Sequence, residues 1–281
     1  MAVATGEIET RRSLAGSALK CAGIFWFAAA VLGQWAFFIY IMGFYGASSV
    51  SGDFEVWNRL SALGRTPFVR GDTGGNYAYL AHALGAGFIA FGGALQLMPF
   101  VRRRFPTFHR WNGRVFLFMV TALSLSGFYL VWVRNTSPSF LEGLSTTING
   151  VLILSFAFLA LRAALRRDFA SHQRWATRLW LVSNAQWFLR VGVFGYFVAN
   201  GLIGREASFG EPFFRFWTWG CFLAPLAMLQ LYYFAQAQRS GALKYGVAGA
   251  LAASTLFMGL GIFAFSIFSY ALMTGAPLRV G

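Results

Sequence analysis

Residues 22–45 read AGIFWFAAAVLGQWAFFIYIMGFY, a run of 24 residues without a charged side chain. At a rise of about 1.5 Å per residue, a helix of this length spans a bilayer core that is about 30 Å thick. The run is too long for the apolar core of a cleaved signal peptide, so it indicates a retained membrane anchor. The stretch therefore predicts an integral membrane protein built from helices.

Six further apolar runs follow the first at spacings typical of a multi-pass membrane protein. Together they predict about seven transmembrane helices, near residues 22–45, 78–101, 115–133, 147–165, 179–203, 213–237 and 246–273. The chain is 57% hydrophobic and 11% charged, whereas soluble proteins carry about 25% charged residues. We therefore expect an all-α fold, a multi-pass transmembrane helical bundle forming one membrane domain over residues 1–281, with an outer loop at 46–77.

Lysine and arginine are distributed unevenly between the two predicted sides of the membrane. The inner segments carry 15 of the 23 Lys and Arg residues and the outer segments carry seven. Cytoplasmic loops are enriched in these residues, so we expect a cytoplasmic N-terminus and an outer C-terminus in a bacterial inner membrane. The net charge of +14 lies in clusters between apolar runs. This placement favours contact with membrane lipids and not with nucleic acid.

Two of the predicted inner turns share a sequence pattern. Residues 103–114 read RRFPTFHRWNGR, and residues 166–178 read RRDFASHQRWATR. His109 corresponds to His172, and the following basic and aromatic residues match in the same order: Arg110, Trp111 and Arg114 with Arg174, Trp175 and Arg178. The pattern predicts a duplication of two helical hairpins, 78–133 and 147–203, that form a four-helix core about an axis along the membrane normal. Convergence is the alternative, because Trp and Arg anchor many helices at the membrane interface.

The same region carries a set of motifs: His82-x-x-Gly85, Gly92-Gly93-Ala94-Leu95-Gln96, His109-Arg110-x-x-Gly113-Arg114, His172-Gln173-Arg174-Trp175, and Arg190. With these residues the chain resembles, over roughly residues 78–200, the bacterial family of predicted integral membrane proteins called domain of unknown function 2306. No activity is assigned to that family, so the resemblance implies a multi-helix membrane fold. A looser likeness, of architecture alone, connects the four-helix core with b-type cytochromes of the cytochrome b561 kind.

Arg190 is the most informative single residue, because it lies about 16 Å into the predicted fifth helix, close to the membrane midplane. An arginine at this depth usually faces a partner or a cavity. Gln186 and Ser183 precede it on the same helix face, and His82 lies near the outer end of the second helix. We expect these four residues to bind a small hydrophobic, partly anionic ligand of the lipid or quinone class. A structural ion pair at Arg190 and a tight helix contact at His82 are the alternatives.

His109 and His172 suit a different ligand, since two imidazoles can hold the iron of a b-type haem with Arg110 and Arg174 beside its propionates. Both histidines are predicted to lie in turns, which opposes this interpretation. Haem b and quinone are therefore the cofactors considered. A b-type haem redox protein is the second predicted function, and a structural or assembly partner without a ligand is the third.

Several classes of chemistry have no signature in the chain. No Asp or Glu lies near the centre of a predicted helix, which speaks against a proton-driven transporter. The sequence has no Ser-His-Asp set and no His-Glu-x-x-His or His-x-x-x-His pattern. We therefore expect no metal site and no catalytic residues, and the sequence favours a binding protein over an enzyme.

Overall fold

The computed structural model describes residues 2–63, 67–137, 139–208 and 212–276. Within these ranges the chain is helical and contains no strand, so the all-α prediction is confirmed. Its α-helices are α1 Ala2–Ile41, α2 Ala47–Ser51, α3 Thr73–Leu97, α4 Pro99–Arg104, α5 Pro106–Trp132, α6 Phe140–Leu165, α7 Phe169–Ser183, α8 Ala185–Leu202, α9 Pro212–Ala237 and α10 Gly241–Thr274.

Five helical segments of the described residues are long and apolar enough to cross a membrane: Leu14–Ser51, Thr73–Leu97, Pro106–Trp132, Phe140–Leu165 and Gly241–Thr274. They contain or overlap five of the seven predicted runs. The run at 213–237 coincides with α9, which is not one of the five, and the run at 179–203 is divided between α7 and α8. A bundle with several membrane-spanning helices is thus confirmed, whereas the count of seven stays a prediction.

The segment at 46–77 is more helical than the loop that was predicted there. One π-helical turn, Met42–Gly46, and the short α2 extend α1 to Ser51, and a 3-10 helix follows at Phe54–Leu63. Gly52 ends α2 with φ at 76°, a left-handed conformation that glycine adopts without steric cost. The indole nitrogen of the fully buried Trp57 donates to Ser48 Oγ at 2.7 Å, which joins the 3-10 helix to α2.

The chain packs as two compact units, Gln34–Phe188 with Phe265–Gly281 and Met1–Gly33 with Leu189–Ala264. In the first unit, α3 packs on α5, α5 on α6, α6 on α7 and α7 on α3, so the four helices form a closed ring. Three of its helices, α3, α5 and α6, overlap the predicted runs 78–101, 115–133 and 147–165, whereas α7 shares only residues 179–183 with the run 179–203. A core made of two repeated hairpins stays a prediction. Its hydrophobic centre contains Ile89, Phe116, Val120, Ala157 and Leu179.

Glycines allow the ring helices to approach closely. A Cβ atom on Gly85 of α3 would lie 2.6 Å from Leu123 of α5, and one on Gly150 of α6 would lie 2.5 Å from the ring of Phe128 of α5. Small residues at such crossings are typical of helices that pack within a membrane. These contacts fix the spacing on which the cavities of the ring depend.

The second unit contains the first part of α1, most of α8, α9 and most of α10. Its core cluster comprises Leu19, Ala235, Val247 and Leu251. The indole nitrogen of Trp217 donates to the Leu189 carbonyl at 3.2 Å, and Gly192 lies directly against the Trp217 ring. Hydrogen bonding and close packing therefore join α8 to α9.

Candidate functional site

A cavity of about 770 Å³ lies where α3 and α6 end and where α5 and α7 begin; we call it the turn cavity. Its volume is within the range of about 300–1,000 Å³ that small-molecule sites occupy. All four helices of the ring contribute to its lining, which includes apolar residues such as Leu97, Phe116, Leu117, Leu161 and Leu179. The turn cavity can therefore enclose an apolar body of considerable size.

His109 and His172 both line the turn cavity, each as the fourth residue of its helix. The prediction that they lie in turns is wrong, because α5 begins at Pro106 and α7 at Phe169, before the apolar runs start. Proline fits the first turn of a helix, and Asp168 caps α7 by accepting from the Ser171 amide at 3.0 Å. Hydrogen bonds from Ser171 also hold the pKa of Asp168 below its usual range.

The two histidines have different hydrogen bonding. Nδ1 of His172 donates to the Ala160 carbonyl at 2.9 Å, so this nitrogen has a protein partner. Nδ1 of His109 is buried without a hydrogen-bond partner in the described part of the chain, and so is Nε2 of Gln96, which also lines the cavity. Buried polar atoms usually have partners, so these two nitrogens indicate a bound molecule or water.

The charge of the turn cavity is positive. Arg102, Arg110 and Arg114 line it, and its lining within the described residues contains no Asp or Glu. All three arginines are exposed, so their charged groups remain accessible at the mouth of the cavity. An anionic group that enters the mouth gains charge-assisted hydrogen bonds from them.

The interface residues of the two turns form the same contact twice. The Arg114 guanidinium lies 4.9 Å from the ring centre of Trp111, and the Arg178 guanidinium lies 4.8 Å from that of Trp175. Of the six predicted interface anchors, Arg110 and Arg114 line the turn cavity, whereas Trp111, Arg174, Trp175 and Arg178 do not. The likeness of the two turns agrees with a duplication, which stays a prediction.

The start of α5 differs from the starts of three other helices. Side chains cap α3, α6 and α7, whereas the residue before α5, Phe105, provides no side-chain cap. The first amides of a helix carry a positive partial charge and bind anions when no cap accepts from them. The α5 start therefore adds to the positive potential at the mouth of the turn cavity.

The predicted ligand residues lie elsewhere in the ring. His82, Ser183 and Gln186 line one small cavity of about 90 Å³, which we call the core cavity. Nδ1 of His82 lies 2.8 Å from Ser126 Oγ. Arg190, which is half-buried, follows Gln186 by four residues on α8 and belongs to the other compact unit. Three of the four predicted residues thus share a cavity, and ligand binding by the four stays a prediction.

Several polar residues of the two cavities were not predicted as site residues: Gln96, Arg102 and Gln173 at the turn cavity, and Ser124, Thr146 and Asn149 at the core cavity. Asn149 had a usable signal, because it is an amide within the apolar run 147–165. Arg102 had none that separates it from Arg103 and Arg104, its neighbours in the same cluster. Among the described residues no group of three or more His, Cys, Asp or Glu side chains is placed to hold a metal ion.

Comparison with known proteins identifies one family. The model of the family described as "Predicted membrane protein (DUF2306)" matches residues 79–233, more than half of the chain. The match includes every residue that lines the turn cavity and the core cavity. No curated protein and no solved structure matches the chain.

Proposed function

The chain belongs to this DUF2306 family of multi-pass membrane proteins, and we propose that it binds an amphipathic anion in the turn cavity. The apolar body of the ligand lies among the ring helices, and its carboxylate or phosphate group lies at the arginines. One observation carries the proposal: a single apolar cavity joins three arginines with the unpartnered buried nitrogens of His109 and Gln96.

The charge of the cavity distinguishes between the two ligand classes considered. A quinone accepts hydrogen bonds through neutral carbonyl oxygens and leaves the positive mouth without a counter-charge. A fatty acid or an anionic phospholipid supplies both the apolar body and the negative group. A charge-assisted hydrogen bond contributes about 1.5–3 kcal/mol, so the anionic lipid is favoured.

The distribution of charge also supports an orientation. We infer that the N-terminus is cytoplasmic, the C-terminus is outside and the membrane is the bacterial inner membrane. In this orientation the turn cavity opens toward the cytoplasm, because the basic turns form its mouth. Lipids of the inner leaflet then have direct access to it.

Native mass spectrometry of delipidated protein, titrated separately with palmitate and with phosphatidylglycerol, tests the proposal. We expect one saturable adduct with either or both lipids, and an affinity that is lower by about tenfold in Arg102→Gln, which corresponds to about 1.4 kcal/mol. Arg103→Gln is the matched control, since Arg103 is also exposed, lies in the same helix and does not line the cavity.

Two results would contradict the proposal. Equal affinities for the Arg102 and Arg103 variants would show that a general basic surface attracts the lipid. An absence of any saturable adduct would favour the third function, a structural or assembly partner without a ligand. A dominant adduct with ubiquinone in a parallel titration would replace the anion with a neutral quinone.

A b-type haem is the second candidate, since it is also an apolar body with carboxylates. The observation that favours it is that His109 and His172 line the same cavity. The His172 ring is held through Nδ1, which is how metal-ligating histidines are commonly oriented. The cavity would then hold the macrocycle, with Arg110 near a propionate.

Titration of the purified protein with hemin separates haem from lipid. A haem site produces a Soret band that shifts on reduction and is lost in both His109→Ala and His172→Ala. His82→Ala is the control, because His82 lies at the core cavity. A protein that stays colourless while it binds palmitate excludes haem as the ligand.

A further inference from the structure

The boundary between α7 and α8 interrupts a helix within an apolar stretch. α7 ends at Ser183, α8 begins at Ala185, and Asn184 between them has φ −102° and ψ 15°. Irregular backbone at membrane depth is tolerated where it is buried in protein or lines a water-filled cavity. The interruption therefore requires partners for the backbone groups that it releases.

Side chains supply partners for two of the carbonyls at the interruption. Asn184 Nδ2 donates to the Trp180 carbonyl at 2.8 Å, and Ser183 Oγ donates to the same oxygen at 3.1 Å. Asn149 of α6 reaches across the ring, and its Nδ2 donates to the Val182 carbonyl at 3.1 Å. The end of α7 is thus covered by protein donors and has no need of a cation.

One polar atom at this place remains without a partner. Oδ1 of Asn149 is buried and accepts no hydrogen bond from the described part of the chain. The residue exposes 9% of its surface and lines the core cavity. Leaving an amide oxygen buried and unsatisfied is unfavourable by about 1–3 kcal/mol, so Asn149 Oδ1 requires a donor in the cavity.

We propose that the core cavity is a hydration site, in which ordered water donates to Asn149 Oδ1 beside the interruption between α7 and α8. Its volume of about 90 Å³ corresponds to about three water molecules at about 30 Å³ each. Polar residues surround the space and offer further partners: His82, Ser124, Thr146, Ser183 and Gln186. A site with this composition satisfies the two to four hydrogen bonds that a buried water makes.

Other occupants fit the core cavity less well. Its volume of about 90 Å³ is smaller than that of the cavity of about 150 Å³ that accommodates benzene in an engineered protein, which favours water over a quinone ring. None of the residues that line it is an Asp or Glu within the described chain, so a desolvated cation would have no counter-charge. Water is neutral and small, and it donates the bond that Asn149 lacks.

The hydration site is separate from the turn cavity. Ile89 and Val120 line the core cavity, whereas Phe116 and Leu179 line the turn cavity, and all four belong to one buried hydrophobic cluster. The cluster forms an apolar layer between the two spaces. Water at Asn149 is therefore independent of any ligand at the arginines, and the two proposals succeed or fail separately.

X-ray radiolytic footprinting of the protein in nanodiscs tests the proposal, because activated bound water oxidises the side chains beside it. We expect Leu123 and Phe128, which line the core cavity, to be oxidised several-fold faster than Phe222, a fully buried ring. Asn149→Leu should abolish the difference. Asn112→Leu is the control, since Asn112 also donates across helices, to the Gly92 carbonyl at 3.0 Å, and does not line the core cavity.

A second measurement keeps the test decisive if Asn149→Leu fails to fold. A high-resolution structure of the wild-type protein should contain water density within hydrogen-bond distance of Asn149 Oδ1. If crystals exposed to xenon show xenon in this cavity instead of water, the site is dry and the proposal is overturned. A melting temperature that rises with sodium, at constant ionic strength set by choline, would also overturn it in favour of a cation.

Discussion

Arg134 Nε lies 2.9 Å from Asp72 Oδ2, and this ion pair ties the end of α5 to the start of α3. The other carboxylate oxygen of Asp72 accepts from the Gly75 amide at 2.9 Å and so caps α3. Arg134 also donates to Asn76 Oδ1 at 2.8 Å, and its side chain is only 9% exposed. One carboxylate thus caps the start of α3 and holds the end of α5 against it.

Asp72 should make the stability of the protein dependent on acid. The Gly75 amide and the Arg134 guanidinium hold the pKa of this carboxyl below its usual range. A carboxyl whose pKa is lowered by folding contributes its full stabilisation above its unfolded-state pKa of about 3.9. This stabilisation is lost as the pH falls through the lower pKa of the folded state. Thermal unfolding from pH 7 to pH 3 should show a loss of stability below about pH 4 in the wild type.

The Asp72→Asn variant should melt at a lower temperature at pH 7, because the buried Arg134 loses its counter-charge, and its acid-dependent loss should be smaller. Asp53→Asn, at an exposed carboxylate of the same segment 46–77, is the control and should behave as the wild type. Parallel pH profiles for wild type and Asp72→Asn would mean that the pair has no role in stability.

Gly150→Ala should destabilise the ring. The added methyl would lie 2.5 Å from the Phe128 ring, and overpacking of this kind costs about 1–3 kcal/mol. Gly74→Ala is the matched control, because a Cβ there meets nothing within 4 Å and alanine favours a helix. Thermal unfolding in detergent should show a lower midpoint for the first variant only. Equal unfolding midpoints for the two variants would mean that the Phe128 ring moves aside without loss of stability.

The two Trp–Arg contacts should contribute similar coupling energies. A double-mutant cycle with Trp111→Leu and Arg114→Gln should give about 0.5–1 kcal/mol, and the cycle for Trp175 and Arg178 should give the same. Trp175→Leu alone should be the more destabilising single change, since its ring also packs 5.5 Å from that of Phe156, whereas Trp111 is 62% exposed. Coupling near zero in both cycles would make the contacts incidental.

Cysteine labelling in intact cells should reveal the orientation of the chain. In a background with Cys21 and Cys221 replaced by serine, a membrane-impermeant maleimide should label Asp53→Cys directly and Arg103→Cys only after lysis. Both positions are exposed, so accessibility to water does not limit either reaction. The reverse result would invert the topology and move the mouth of the turn cavity to the outer side.

The fold was largely predictable because apolar runs report membrane spans directly. The prediction of helix starts failed at Pro106 and Asp168. The first turns of α5 and α7 are polar, so hydropathy alone places the starts of these helices too late in the sequence. Asn184 shows a second limit. An asparagine in an apolar run is compatible with an unbroken helix, and the break depends on a donor from α6, Asn149, that lies 35 residues away in the sequence.

The candidate site was predictable only in part. The repeated turns brought His109 and His172 to attention, and the structure places both at one cavity. Ser183 and Gln186 were predicted from the helix face that they share with Arg190, and His82 was predicted separately from its place on the second helix. The structure places these three residues, without Arg190, at the core cavity. Gln96 and Arg102 were missed, because a residue becomes part of a cavity through packing between distant helices, which local sequence does not encode.

The π-helical turn at Met42–Gly46 has a consequence for the relatives of this protein. A π turn holds one residue more than an α turn, so the chain beyond it is rotated by about 100° relative to a regular helix. Ser48, beyond the turn, accepts from the Trp57 indole nitrogen, and the hydroxyl of Tyr45, within the turn, lies 3.2 Å from that of Tyr79. A family member with one residue fewer here would keep a continuous helix yet lose this contact face. The length of the turn is therefore a marker of whether a relative can form the Ser48–Trp57 contact.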